Sequence, residues 1–188
     1  MPKVIDVSLI HKAALDVFSE RGYEAATTKE IARRAGVNEV TLYRRFGTKA
    51  ELIKAALGAE LSTSPFGHLT ASDDVTADIT AIAAAYLETF NSFGAVVMMT
   101  MAEVAKTPEF RDAMAALMPN LQNAAGIIAR HQAAGRITPG NPFAKLLALI
   151  APLAMTGFLA RIGGGPVSDL GQIDPAEVTA DFLRGHGV

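Results

Sequence analysis

The sequence predicts an all-α protein. Half of its 188 residues are hydrophobic and only 6 % are aromatic, so the core must be built from Ala, Leu, Ile, Val and Met, mostly good helix formers. Apolar residues recur at three- and four-residue spacing through most of the chain. Tight turn pairs that would join strands into hairpins are few.

Each element is marked in turn. Val7, Ile10, Ala14, Val17 and Phe18 share one helical face in residues 4–21, and Gly22 is a natural stop. Thr27 and Glu30 form a capping box for a short helix, 28–35, carrying Ile31, Ala32 and Ala35 and closed by Gly36. Asn38 caps a third helix, 39–46, with Val40, Leu42, Tyr43 and Phe46. Thr48 and Glu51 form a second box, opening a helix with Leu52, Ile53, Ala56 and Leu57. The Ser-, Thr-, Gly- and Pro-containing stretch 58–72 ends that helix and forms a connection. Asp73 and Asp74 then suit the start of a helix lined by Val75, Ile79, Ile82, Tyr86, Phe90 and Phe93. A shorter segment, 95–105, follows. Three cap-then-proline starts (Thr107-Pro108, Asn141-Pro142 and Asp174-Pro175) open helices to about Ala134, over 142–162 and to about Arg184.

Composition narrows the chemistry. No cysteine is present, so disulfides and thiolate metal sites are excluded. His11, His68, His131 and His186 lie at no metal-ligand spacing, and neither a metal nor a cofactor is expected. Gly163-Gly164-Gly165-Pro166 lacks the Lys-Ser/Thr of a phosphate loop and reads as a connection between helices. The first ten residues lack the marks of a secretory leader, so a cytoplasmic protein is expected. The uncharged run Leu146–Ala160 is shorter than the roughly 20 residues of a membrane span and contains Pro152, so no membrane is expected as a partner. Residues 1–57 hold ten Lys/Arg against seven Asp/Glu, whereas 58–188 hold seven against twelve. An anionic partner would therefore meet the first part.

Residues 28–46 have the layout of a helix-turn-helix: two short helices around a tight turn, with Ala32 allowing close approach and Gly36 accepting a positive φ. The longer stretch 14–53 resembles the N-terminal DNA-binding region of TetR-family transcriptional regulators. The resemblance rests on Phe18, Arg21-Gly22-Tyr23, Thr27-Thr28, Ile31-Ala32, Ala35-Gly36-Val37, Thr41-Leu42-Tyr43, Phe46-Gly47, Lys49 and Glu51-Leu52. It covers about a quarter of the chain; the remainder is similar only in length and helical layout. The family often has a basic residue followed by glycine where this chain has Glu39 and Val40, so a relative's operator cannot be copied onto it.

The resemblance implies that the second helix of the motif enters a major groove. The contact candidates are then Asn38, Glu39, Val40, Thr41, Tyr43, Arg44 and Arg45. Arg44 or Arg45 suits a guanine, Glu39 a cytosine amine, and Val40 or Thr41 a thymine methyl. Thr28 and Lys49 stand in the first turns of their helices and suit phosphates. Arg33 and Arg34 lie on the supporting helix, where plain surface is the more ordinary role. Leu42 and Phe46 are core.

The resemblance also implies a C-terminal domain that binds a small effector and forms a homodimer. The expected division is a DNA-binding domain, 1–57, and an effector-binding, dimerising domain, 58–188. Phe90, Phe93, Met98, Met99, Met101, Met114, Met118, Met155 and Phe158 are the pocket candidates, although such residues more often form ordinary core. Few charges fall on these faces, so an apolar effector is expected. The dimer would form through 142–162 and 175–184; the first is apolar nearly all round and has to be covered. The expected function is a homodimeric regulator of transcription, not an enzyme, released as a repressor from a near-palindromic DNA operator by its effector. The alternative is a helical binding protein or enzyme whose DNA-binding region is vestigial.

Overall fold

A computed structural model of the chain describes residues 6–104, 115–162 and 173–188. The described residues form eight α-helices: α1 Val7–Ala25, α2 Thr28–Ala35, α3 Glu39–Phe46, α4 Lys49–Thr63, α5 Val75–Val104, α6 Met118–Ala133, α7 Pro142–Ile162 and α8 Pro175–His186. Two 3-10 turns, Pro65–His68 and Ala115–Leu117, complete them. No strand occurs among the described residues; one isolated bridge joins Ile137 and Gly187.

The threonine, asparagine and aspartate caps read from sequence form, but the two capping boxes close on the threonine side alone, since the Glu30 carboxylate is held by Arg33 and Arg34. Thr27 Oγ1 accepts from Glu30 N at 3.2 Å, and Thr48 Oγ1 accepts from Glu51 N at 3.1 Å. Asn38 Oδ1 accepts from Val40 N at 2.9 Å, and Asp174 Oδ1 from Ala176 N at 2.8 Å. Gly22 interrupts α1 at φ 73°, ψ 175°, and Gly36 ends α2 in the left-handed region at φ 66°. A side chain resists both conformations.

One boundary differs from expectation. α4 runs on through Gly58 to Thr63, so the stretch 58–72 begins as helix and turns only at Pro65–His68. Ala59, Glu60 and Leu61 are ordinary helix formers, and they outweigh one glycine. Within α5, Val75–Gly94 and Val96–Glu103 are separate segments on either side of a break, in line with the two elements expected. Residues 105–114 and 163–172, with the Thr107-Pro108 start and the triple glycine, lie outside the described residues.

The chain divides into two compact units, and the division falls inside α5. The first unit holds residues 6–62 with 95–104 and 115–118. Its core joins Ile10, Phe18, Ile31, Leu42, Ile53 and Leu57 to Val96. Val97, Met99 and Leu117 pack against that core, and a Cβ added at Gly22 would stand 3.9 Å from the Met99 Cε methyl.

The second unit holds residues 63–94, 119–162 and 173–188. Ile79, Ile82, Ile128, Ile137, Leu146, Leu149 and Phe182 form its core. The Phe90 ring fills the space left by Gly94 and Gly157; a Cβ on either would meet it at 2.9 or 2.5 Å. A buried polar cluster ties α5 to α6. Ser72 donates to both carboxylate oxygens of Asp78, N–H to Oδ2 at 2.8 Å and hydroxyl to Oδ1 at 2.7 Å. His131, with no solvent exposure, lies 2.8 Å from Asp78 through Nε2. Arg136 Nε donates to His131 Nδ1 at 2.8 Å. Nδ1 is thus the acceptor, and Nε2–H donates to the carboxylate.

α7 leaves several large apolar side chains exposed. Over Pro142–Ala160 only 22 % of the residues are buried; Leu147 is 43 % and Met155 56 % exposed. These nineteen residues are long and apolar enough to cross a membrane by length and composition, a correction to the shorter span judged from the uncharged run alone. The helix starts at Pro142, four residues before that run, and takes in Lys145. The Lys145 ammonium is engaged on the second unit's own groups, Thr138 Oγ1 at 2.9 Å and His186 Nδ1 at 3.3 Å.

Candidate nucleic-acid interface

The first unit presents α3 on a rigid support. Leu42 is buried and Phe46 packs against the core, so this stripe of α3, four residues apart, faces α1 and α2. Val40 and Arg44 form the opposite stripe and both are exposed, Val40 at 70 %. Thr41 and Arg45 flank it on one side and Tyr43, 53 % exposed, on the other. Asn38 stands exposed at the start of the helix with its carbonyl oxygen committed to the cap.

The four arginines of residues 33–45 have different surroundings. Arg33 donates through Nε and Nη2 to Glu30 at 2.8 Å each. Arg34 donates to both oxygens of Glu20, at 2.7 and 2.6 Å, and to Glu30 Oε1 at 3.0 Å. Arg21 approaches Glu30 at 3.7 Å. The hydrogen bonds from Arg33 and then Arg34 hold the Glu30 carboxyl down to about 2. These charges are spent inside the first unit. Among the described residues, Arg44 and Arg45 make no ion pair or hydrogen bond and remain open to an outside anion.

Thr28, Glu39 and Tyr43, separate in sequence, meet in space. The Thr28 hydroxyl lies 2.6 Å from Glu39 Oε1 and 3.1 Å from the Tyr43 hydroxyl. Lys49 is placed otherwise. Its ammonium donates to the carbonyls of Tyr23 at 2.5 Å and Ala26 at 2.8 Å and sits 4.0 Å from the Tyr23 ring centre. Burial pulls it below the usual lysine range. Two of its three N–H groups pin the start of α4 to the end of α1. Lys49→Met is therefore expected to cost about 1–3 kcal/mol of stability by orphaning both carbonyls. A urea melt unchanged by the substitution would remove this role. The sequence reading passed over Lys29, which is exposed in the first turn of α2 beside Thr28; its place beside a candidate phosphate contact was the available signal.

The pocket candidates are divided between the two units. Met98, Met99, Met101 and Met118 belong to the first unit, and Phe90, Phe93, Met155 and Phe158 to the second; Met114 lies outside the described residues. Met99 packs on the first core. In the second unit an open cleft of 640 Å³ is bounded by Leu87, Phe90, Gly157 and Ile173, with Glu88 and Asp174 on its wall. Of the nine candidates Phe90 lines it. Among the described residues no cluster of His, Asp or Glu could hold a metal ion.

Comparison with known proteins bears on the same region. Residues 10–56 match the family described as bacterial regulatory proteins, tetR family. The HTH-type transcriptional regulator YvkB of Bacillus subtilis is 44 % identical over 50 residues, and the HTH-type transcriptional activator FasR of Mycolicibacterium smegmatis 53 % over 45. These stretches cover 27 % and 24 % of this chain and 26 % and 20 % of the relatives, so the chain matches only about a quarter of their length. The fold extends further. A TetR-family transcriptional regulator from Mesorhizobium loti aligns with a TM-score of 0.75 and 19 % identity, covering 97 % of this chain and 96 % of its own. A transcriptional regulator from Saccharomonospora viridis, solved in complex with choline, aligns at 0.73 and 18 %, covering 97 % of both chains. Residues 10–56 thus match the tetR family of bacterial regulatory proteins, and the helical layout is shared with solved structures along nearly the whole length.

Proposed function

We propose that this chain is a homodimeric, one-component regulator of transcription that binds a near-palindromic DNA operator through α3 and acts as a repressor. The observation that carries the reading is the outer stripe of α3, where Val40 and Arg44 are exposed and the guanidinium has no partner among the described residues. A helix seated by Leu42 and capped by Asn38 can enter a major groove without rearranging its support. Arg44 then reads a guanine, Val40 and Thr41 touch thymine methyls, Glu39 accepts from a cytosine amine, and Asn38 offers its amide. Arg45, Tyr43, Thr28, Lys29 and the third N–H of Lys49 lie where phosphates would run.

The bare apolar surface of α7 supports the dimer. Pairing α7 and α8 with their copies in a second chain would cover Leu147 and Met155 and present two reading helices to one site. This also accounts for the apolarity of α7 without a membrane, and it suits a protein that works in the cytoplasm. The second unit holds the effector. Its open cleft, lined in part by Leu87, Phe90 and Ile173, supports a small molecule with an apolar body. Binding shifts the population toward dimers whose reading helices no longer match the half-sites, and DNA is released. No catalytic role is assigned to any residue.

Selection of genomic fragments on the immobilised full chain, followed by sequencing, tests the reading. Near-palindromic sites with half-site centres about 34–36 Å apart, or a multiple of that, are expected. Recovery of unenriched DNA at low salt would overturn it.

A further inference from the structure

The contact between Thr28, Glu39 and Tyr43 has a direction. The Thr28 hydroxyl carries one hydrogen, and the Glu39 carboxylate, 2.6 Å away, can only accept it. The Tyr43 hydroxyl, 3.1 Å away, must then donate to the threonine oxygen. The chain runs from Tyr43 to Thr28 to Glu39. It places an anion beside the first turn of α2, where backbone N–H groups lack helical partners and favour negative charge. Neither helix needs that anion as a cap, because Thr27 already caps α2 and Asn38 already caps α3.

We propose that the Glu39 carboxylate is an internal stand-in for a DNA backbone phosphate. Resting on the operator-binding reading above, this makes Glu39 a brake on DNA of any sequence. A phosphate can take the Thr28 hydroxyl only when Glu39 leaves. On an ordinary site the displaced carboxylate finds only the repulsion of the duplex. On a site that offers a cytosine amine at its reach it finds a donor. The residue thus lowers affinity generally and returns part of the loss where the sequence suits it, which is specificity by penalty on the wrong partner.

Anisotropy titrations of a mixed-sequence 30-base-pair duplex with the full-length dimer test this. Glu39→Ala is expected to tighten binding about tenfold at 0.1 M salt, Glu39→Gln by less, since its amide oxygen keeps the threonine hydroxyl occupied while the charge is gone. In a Thr28→Val background the Glu39→Ala gain should fall below about twofold, the size of coupling expected for contacting residues. Thr28→Ala serves if the valine variant melts early. Equal gains with and without the Thr28 hydroxyl, or equal gains for Ala and Gln, would mean plain charge repulsion and overturn the proposal. So would no gain at all. If the unaltered chain binds neither this duplex nor genomic DNA at any salt, the operator reading itself has failed, and that outcome is distinct from the others.

Discussion

Asp78→Ala is expected to cost about 3–5 kcal/mol of stability, near the range for breaking a buried charged contact. The substitution strands three donors at once: the Ser72 N–H, the Ser72 hydroxyl and His131 Nε2–H. The His131 donor cannot turn to water, because His131 is fully buried and Asp78 nearly so, whereas Ser72 is exposed and its donors can. Orphaned buried donors cost about 1–3 kcal/mol each where they cannot relax. The pH dependence has a defined sign. Burial pushes the Asp78 carboxyl up, but the hydrogen bonds from Ser72 and His131 outweigh it and hold it below the ordinary value of 3.8. A carboxyl depressed in the folded state stabilises the fold above its unfolded pKa and loses that contribution as pH falls through the folded one. The gap between the unaltered chain and Asp78→Ala should therefore stay level from neutral pH down to about 5 and narrow below about 4. Urea melts across that range read it directly. A gap under about 1 kcal/mol at neutral pH would show that the cluster is solvated.

Arg44→Ala is expected to weaken binding to the selected operator by about 10- to 100-fold per half-site while changing affinity for random DNA far less. One bidentate base contact discriminates by about 1–3 kcal/mol. Arg34→Ala should do the reverse. Its guanidinium already carries Glu20 and Glu30, so its loss should loosen the packing of α2 on α1 and lower the melting temperature, leaving base preference intact. Scoring the operator's single-base variants against both mutants separates the two roles. A flat specificity profile for Arg34→Ala, with Arg44→Ala unchanged, would mean that they have been exchanged.

Much of this was legible in the sequence because caps and turns act locally. Thr27 with Glu30, Asn38, Gly22 and Gly36 settle their conformations within four residues, and the structure follows them. What was not legible depends on helices meeting. The pairing of Arg34 with Glu20 spans fourteen residues and needs α1 packed on α2. His131 and Asp78 are 53 residues apart, and neither neighbourhood hints at the other. Lys49 has the position of a phosphate ligand in its own helix, and only the arrival of Tyr23 and Ala26 claims two of its hydrogens. The assignment of the methionines of 98–101 to the first unit was not legible for a related reason. Helical periodicity tells which side of a helix is apolar, not which of two cores will receive it.

The division inside α5 bears on how the chain can be cut. The family match is confined to residues 10–56, which invites use of that stretch as a detachable cassette in fusions. Yet Val96 is an integral member of that core, and Met99 reaches the break at Gly22. A fragment ending at residue 62 would leave their seats empty and open apolar surface to water. The reading head is a composite, completed by a strip of helix encoded more than thirty residues downstream, and transplanting it means carrying that strip as well.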